Sequence, residues 1–174
     1  TFDENITGSA NLIQAVSDNQ PDCKLMFCST SEVYGNIGID GRKIKWTDTL
    51  FPANPYGASK LAIDCYMQER IENKMIKGFI TRAFSHTGPR RGKNFSISSD
   101  AFQIARMMKG LQDKVLLIGN LESVRVVMDV RDTVNAYYLA MINDSINGDI
   151  FNVCGDEPQK MRYFTNKLIE LSGL

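Results

Sequence analysis

Apolar positions along this 174-residue chain switch between two rhythms. Phe2, Ile6, Ala10, Ile13 and Val16 recur every three or four residues, which predicts an amphipathic helix over 3–18. Leu25-Met26-Phe27-Cys28 is a short unbroken apolar run and predicts a buried strand over 24–29. The long stretch from Gly35 to Pro55 has neither rhythm, a length that marks a functional connection rather than an ordinary turn. A helix follows over 56–76, with Ala58, Leu61, Ala62, Cys65 and Tyr66 as its expected buried stripe. Residues 78–84 predict a strand, which Gly88-Pro89 ends. Beyond it, the pattern predicts a helix over 99–110 and strands over 115–118 and 126–130. Val134, Tyr137, Tyr138, Met141 and Ile142 fit one face of a further helix, and Asp149 to Val153 a short strand. Met161, Phe164, Leu168 and Leu171 mark a last helix that Gly173 caps. Strands alternating with helices of this length imply parallel β-α units and an α/β fold.

A dinucleotide-binding sheet of that kind needs a first strand, a Gly-rich turn and a helix whose N-terminus holds the pyrophosphate. Gly35, Gly38 and Gly41 give the only Gly-x-x-Gly-x-x-Gly, but Arg42-Lys43-Ile44-Lys45-Trp46-Thr47 opens no helix. That match is rejected as a cofactor cradle. The chain starts at Thr1 and lacks the Gly-rich unit, so it reads as a fragment of a longer protein.

Composition narrows the class without naming a reaction. Hydrophobic content of 43% and twenty basic against twenty acidic residues describe a globular chain with no charge excess toward nucleic acid or a membrane surface. No apolar run approaches the roughly 18 residues of a membrane span. Cys23, Cys28, Cys65 and Cys154 lack metal-ligand spacing, so no metal site is expected. Cys28 and Cys154 lie in apolar strand patterns, where they are expected as reduced core residues of a cytoplasmic protein.

The chemistry concentrates at two places. Thr30 and Glu32 follow directly on the first strand, at the strand end where open α/β sheets place their ligands. Tyr56 and Lys60 are four residues apart on one helix face. A phenol with a pKa of about 10 is a poor base at neutral pH. An ammonium one turn away favours its phenolate. Thr30 capping a turn, and Glu32 as a solvated loop carboxylate, are the plainer readings. The second place is Ser85-His86-Thr87-Gly88-Pro89-Arg90-Arg91, which holds the only histidine.

Ser29-Thr30-Ser31-Glu32-Val33-Tyr34-Gly35 and Tyr56-Gly57-Ala58-Ser59-Lys60 resemble the extended short-chain dehydrogenase/reductases that act on nucleotide sugars. This is the NAD-dependent epimerase/dehydratase family, and the resemblance covers essentially the whole chain. It implies a Rossmann-like doubly wound parallel sheet, here without its N-terminal Gly-rich unit, and a small C-terminal substrate-binding domain. The cofactor domain would comprise 1–85 and 128–153, and the substrate domain 86–127 and 154–174. The resemblance makes Thr30, Glu32, Tyr56 and Lys60 catalytic, and puts Tyr56, Lys60, His86 and Arg91 on the cofactor, NADP or NAD. It puts Ser85 and Arg125 on the sugar nucleotide and gives Asn5 a supporting part. Two positions depart from the family: Ser85 stands where Asn is usual, and Arg125-Val126-Val127 where Arg-Asp-Phe or Arg-Asp-Trp is usual.

The implied function is 4,6-dehydration of GDP-mannose, in a protein that is a homo-oligomer when complete. Reduction of the 4-keto-6-deoxy sugar and other epimerase or decarboxylase chemistry are its rivals. A truncated non-catalytic binding domain is the alternative of a different class.

Overall fold

In the computed structural model, which describes residues 2–38 and 41–174, the two rhythms resolve into alternating strands and helices. β1 (Lys24–Thr30) pairs in parallel with β2 (Lys77–Ala83), running from Lys24 opposite Lys77 to Thr30 opposite Ala83. β2 also pairs in parallel with β6 (Ile150–Val153), Ile80 opposite Ile150. The order β1-β2-β6 makes β2 the central strand. A parallel strand covered on both faces has to be buried almost throughout, and Gly78 to Ala83 all are. The fold is the α/β arrangement that the alternation implied, with the parallel, Rossmann-like sheet that the resemblance implied.

Two compact units make up the chain, residues 1–84 with 133–153 and residues 85–132 with 154–174. In the first, a single π-helical turn (Asp3–Gly8) leads into α1 (Ser9–Asn19), and α2 (Pro55–Glu72) packs on β1. Ile13, Phe27, Ile63, Met67, Ile76 and Ile80 form the core between these helices and the sheet. Each such side chain contributes about 1.5–3 kcal/mol by leaving water. α4 (Val130–Ile142) spans the end of the second unit and the return to the first. Lys24 on β1 donates its Nζ to the carbonyls of Ala140 (3.0 Å) and Asn143 (2.6 Å), which cap the C-terminal end of that helix.

In the second unit, α3 (Ser96–Met108) packs on α5 (Met161–Ser172) through Ile104, Met107 and Met161. Thr165 donates its hydroxyl to buried Asp100 across that contact (2.7 Å). β3 (His86–Thr87) pairs in parallel with β5 (Met128–Asp129), and β4 (Val124–Val126) antiparallel with β7 (Pro158–Lys160). Gly173 ends α5 in the left-handed conformation at φ +71°, as expected of a helix-capping glycine. No helix among the described residues is long and apolar enough to cross a membrane.

Several expectations change. The buried face of α2 is Gly57, Ser59, Ile63, Asp64 and Met67, whereas Ala58, Ala62 and Cys65 are exposed and Leu61 and Tyr66 half-buried. The apolar count missed the phase because two of the inward positions are polar. Residues 115–118 form no strand: Gln103 on α3 donates to the Leu117 carbonyl and accepts from the Leu117 amide, both at 2.9 Å, doing the job of a neighbouring strand. The strand expected at 126–130 is divided between β4 and β5. On α4 only Thr133 is buried, and Val134, Tyr138 and Ile142 lie exposed, so the apolar stripe is wider than the face that meets the sheet. Cys28 and Cys154 are exposed rather than core residues, since β1 turns Phe27 and Ser29 inward on either side of Cys28.

Candidate active site

The C-terminal end of β1 and the first turn of α2 carry the first group of candidate residues. Thr30 closes β1 in extended conformation and caps a 3-10 turn, Ser31–Tyr34, its Oγ1 accepting from the Glu32 amide at 3.3 Å. A threonine oxygen that accepts from an amide keeps its own hydrogen available to a ligand. Pro55 at the first position of α2 presets the helical φ, and Asn54 caps it by accepting from the Gly57 amide at 2.8 Å. Tyr56 therefore stands in the first turn, with 44% of its surface exposed.

Asn54 does a second thing that the sequence did not reveal. Its Nδ2 donates to Oε2 of Glu32 at 2.8 Å, tying the carboxylate to the cap of the Tyr56 helix. The backbones come close enough there that a Cβ on Gly57 would sit 2.6 Å from the Glu32 carbonyl oxygen. Glycine is required because the two turns touch.

One helical turn on, Lys60 donates its Nζ to the Cys28 carbonyl at 2.9 Å and lies over the Phe27 ring, 5.1 Å from its centroid. Burial lowers the pKa of this ammonium, partly offset by Cys28. Asn5, in the π-helical turn, donates to Ser59 Oγ at 3.0 Å, and Ser59 Oγ donates to the Tyr56 carbonyl at 2.8 Å. A π-turn is uncommon and recurs at functional positions.

Beneath this surface lies a buried polar network that sequence reading missed. Asp64 on α2 accepts four hydrogen bonds: from Arg82 Nε and Ser29 Oγ on one oxygen, and from Arg82 Nη2 and Gln68 Nε2 on the other. Arg82, from the middle of β2, is 2% exposed and Asp64 is fully buried. Burial works against the guanidinium's charge, but Asp64 and Tyr34 outweigh it and raise its pKa. One signal was available, a lone arginine inside the run Phe79-Ile80-Thr81-Arg82-Ala83.

The remaining candidates belong to the second unit. Ser85 accepts the Met128 amide at its carbonyl (3.0 Å), and His86 pairs with Met128 in β3–β5. The turn after β3 closes with the Arg91 amide on the Gly88 carbonyl (3.3 Å), and Arg90 takes φ +70°, a strained conformation for so large a residue. Arg91 stacks its guanidinium on the Phe95 ring, 3.8 Å from the centroid. A cavity of about 390 Å³ is lined there by Thr87, Pro89, Arg90, Arg91 and Ser98 among others. Ser98 Oγ is buried without a partner among the described residues. Arg125 lies exposed on β4, opposite Gln159, with Nη1 on the Val124 carbonyl (2.7 Å).

A parallel β-α unit with a strand-end Thr and Glu beside a helix that opens on Tyr-x-x-x-Lys defines the class. The family model described as GDP-mannose 4,6 dehydratase matches residues 1–172, and the chain belongs to that family. It is 33% identical over 171 residues to the GDP-6-deoxy-D-mannose reductase of Pseudomonas aeruginosa, covering 98% of this chain and 55% of that protein. Among solved structures it is similar to RMD from P. aeruginosa complexed with NADPH, at TM-score 0.93 and 31% identity over 100% of this chain and 59% of that one. It is also similar to the dTDP-glucose 4,6-dehydratase of Bacillus anthracis in complex with NAD, at TM-score 0.84 and 26% identity over 99% of this chain and 53% of that one. The chain thus spans about half the length of the curated relatives it matches.

Proposed function

We propose that this chain carries the reactive pair and the carboxylate of an NAD(P)-dependent nucleotide-sugar enzyme, and that the complete protein converts GDP-mannose to GDP-4-keto-6-deoxymannose. One observation carries the choice of reaction: Asn54 holds the Glu32 carboxylate against the cap of the helix that bears Tyr56. Oxidising and reducing a sugar at C4 requires only a group that moves a proton at the C4 oxygen. Eliminating water between C5 and C6 requires a second group, and Glu32, tethered to the cap of the Tyr56 helix, is the candidate for it.

The residues then divide the work. Tyr56 accepts the proton of the C4 hydroxyl, and Lys60, fixed on the Cys28 carbonyl, favours the phenolate by its charge. Thr30 donates its free hydrogen to the same C4 oxygen and holds it in line. Glu32 takes the proton from C5, which the neighbouring ketone acidifies, and passes it to the departing C6 hydroxyl, which leaves as water; once C6 is reduced, C5 takes a proton that comes from solvent. A nicotinamide dinucleotide, when bound, stores and returns the hydride. Each unit offers candidates for such a group: in the first, Lys60 is fixed on the end of β1 one turn after Tyr56, and in the second, Arg91 lines a cavity beside Ser98. Tyr56, Lys60, His86 and Arg91 would hold it, and Ser85 and Arg125 the sugar nucleotide.

A second reading has its own support. The similarity to the P. aeruginosa reductase favours reduction of the 4-keto-6-deoxy sugar, which needs Tyr56 and nothing at C5. Glu32→Gln in the complete protein separates the two. Dehydration predicts that the variant, given GDP-mannose in deuterated water, releases little 6-deoxy product and places far less deuterium at C5 than the wild type. Near-normal 6-deoxy product from Glu32→Gln would refute the dehydratase assignment. Wild-type protein inert toward GDP-mannose but active on the 4-keto-6-deoxy sugar with NADPH would establish the reductase.

A further inference from the structure

The connection between β1 and α2 leaves the site beside Glu32 and returns to it at Asn54, and its second half, residues 41–54, is not loosely draped. Asp48 accepts from the Lys45 amide (2.7 Å) and from Arg42 Nη1 (2.9 Å), which closes a turn around Trp46. Two backbone carbonyls of that turn face inward. Trp46 O accepts from Arg82 Nη1 at 2.9 Å, and Ile44 O accepts from Asn152 Nδ2 at 3.2 Å. Tyr34 joins the two donors: its hydroxyl donates to Asn152 Oδ1 at 2.7 Å and accepts from Arg82 Nη1 at 3.1 Å. Tyr34 is fully buried and sits two residues after Glu32, in the same 3-10 turn.

We propose that Arg82, Tyr34 and Asn152 are positioning residues that clamp residues 41–54 to the sheet and so set where Asn54 holds the Glu32 carboxylate. The clamp is built on Asp64, which fixes the guanidinium by two hydrogen bonds and bonds Ser29, the residue before Thr30. One buried cation therefore ties together β1, β2, α2 and the returning segment. Apolar burial holds the segment only in part, because Trp46 and Phe51 are 55% and 78% exposed while Ile44, Leu50 and Pro52 are half-buried. A segment held mainly by hydrogen bonds on two carbonyls opens when those donors go, while the apolar core of Phe27, Ile63 and Ile80 stays intact. The catalytic part of this inference rests on the dehydratase reading; the clamp itself does not.

The test uses the complete protein and two mild variants, Tyr34→Phe and Asn152→Ala, because Arg82 and Asp64 substitutions leave an unpaired buried charge that can unfold the chain. Amide exchange measured by mass spectrometry compares a peptide over 42–49 with one over 24–29. Each variant loses two hydrogen bonds of the clamp, Tyr34→Phe those to Arg82 and Asn152, Asn152→Ala those to Tyr34 and Ile44, which predicts roughly tenfold faster exchange over 42–49 with little change over 24–29. Deuterium entry at C5 of GDP-mannose should slow by a similar factor in both variants, while KM changes less than twofold. Faster exchange in 42–49 with unaltered C5 chemistry would leave the segment clamped but overturn its catalytic part. Exchange in 42–49 equal to wild type in both variants would overturn the clamp, whatever the activity does. Wild-type protein without dehydratase activity would sink the proposed function alone, since the exchange measurement still decides the clamp.

Discussion

Asn54 joins stability and chemistry in one side chain, and its two bonds can be separated. Its Oδ1 caps α2 on the Gly57 amide and its Nδ2 holds Glu32 Oε2, both at 2.8 Å. Asn54→Ala removes both. Loss of the cap costs about 1 kcal/mol, and loss of a charge-assisted bond at an exposed carboxylate adds about 0.5–1 kcal/mol. For a chain of this size a total near 1.5–2 kcal/mol lowers the thermal midpoint by roughly 3–8 °C. Asn54→Asp restores an acceptor suited to the cap, so it should recover the cap's share of about 1 kcal/mol and stay below wild type by about 0.5–1 kcal/mol for the lost bond to Glu32. It cannot donate to Glu32, and it sets a second carboxylate beside the first. In the complete protein Asn54→Asp should therefore fold yet lose most C5 proton exchange, a roughly ten- to hundredfold fall in that rate for a misplaced base. Circular dichroism melting and C5 deuterium incorporation measure the two effects independently. If Asn54→Asp kept wild-type C5 exchange, the tether would be dispensable and the central observation behind the dehydratase proposal would fall.

Other expectations follow from the same geometry. Tyr56→Phe in the complete protein should lower kcat by orders of magnitude with a modest change in substrate affinity, as steady-state kinetics and substrate titration will show. Gly35→Ala should destabilise the chain by about 2 kcal/mol or more, since Gly35 takes φ +62° and a Cβ would lie 1.9 Å from the Phe51 carbonyl oxygen; denaturant titration tests it. Hydrogen bonds from Lys160 and Arg162 hold Glu122 down to a pKa of about 2, from an ordinary 4.5. Its contribution to stability is accordingly present above pH 4.5 and disappears as pH falls through about 2. Glu122→Gln should lower the melting temperature at pH 6 but not at pH 2, and added salt should narrow the gap.

What the sequence disclosed and what it hid follow a physical division. Strand β1, strand β2 and the existence of helix α2 were legible because apolar runs and helical spacing are local signals. Tyr56 and Lys60 stood out for the same reason, a spacing of one helical turn. Asn54 and Arg82 were not legible, because each acts through a partner far along the chain: Asn54 on Glu32, 22 residues away, and Arg82 on Tyr34, 48 residues away. The false strand at 115–118 arose in the opposite way. Its apolar residues match a strand locally, but Gln103 satisfies the Leu117 backbone and no strand is needed.

The buried Arg82–Asp64 pair also explains why a polar core is tolerable here. A buried ion pair adds little net stability against an apolar pair of the same size, because desolvation offsets its attraction. What it supplies is direction. An apolar residue at position 82 could pack against α2, but it would offer no donors for the Tyr34 hydroxyl or the Trp46 carbonyl. Asp64 leaves Arg82 one orientation, with Nε and Nη2 on the carboxylate and Nη1 turned toward the returning segment. The same carboxylate bonds Ser29 and so fixes the end of the strand from which Thr30 projects. Strand end, helix and returning segment thus take their register from one charge pair. Replacing that pair with a well-packed apolar pair should accordingly keep the fold while loosening residues 41–54, separating what the pair does for stability from what it does for position.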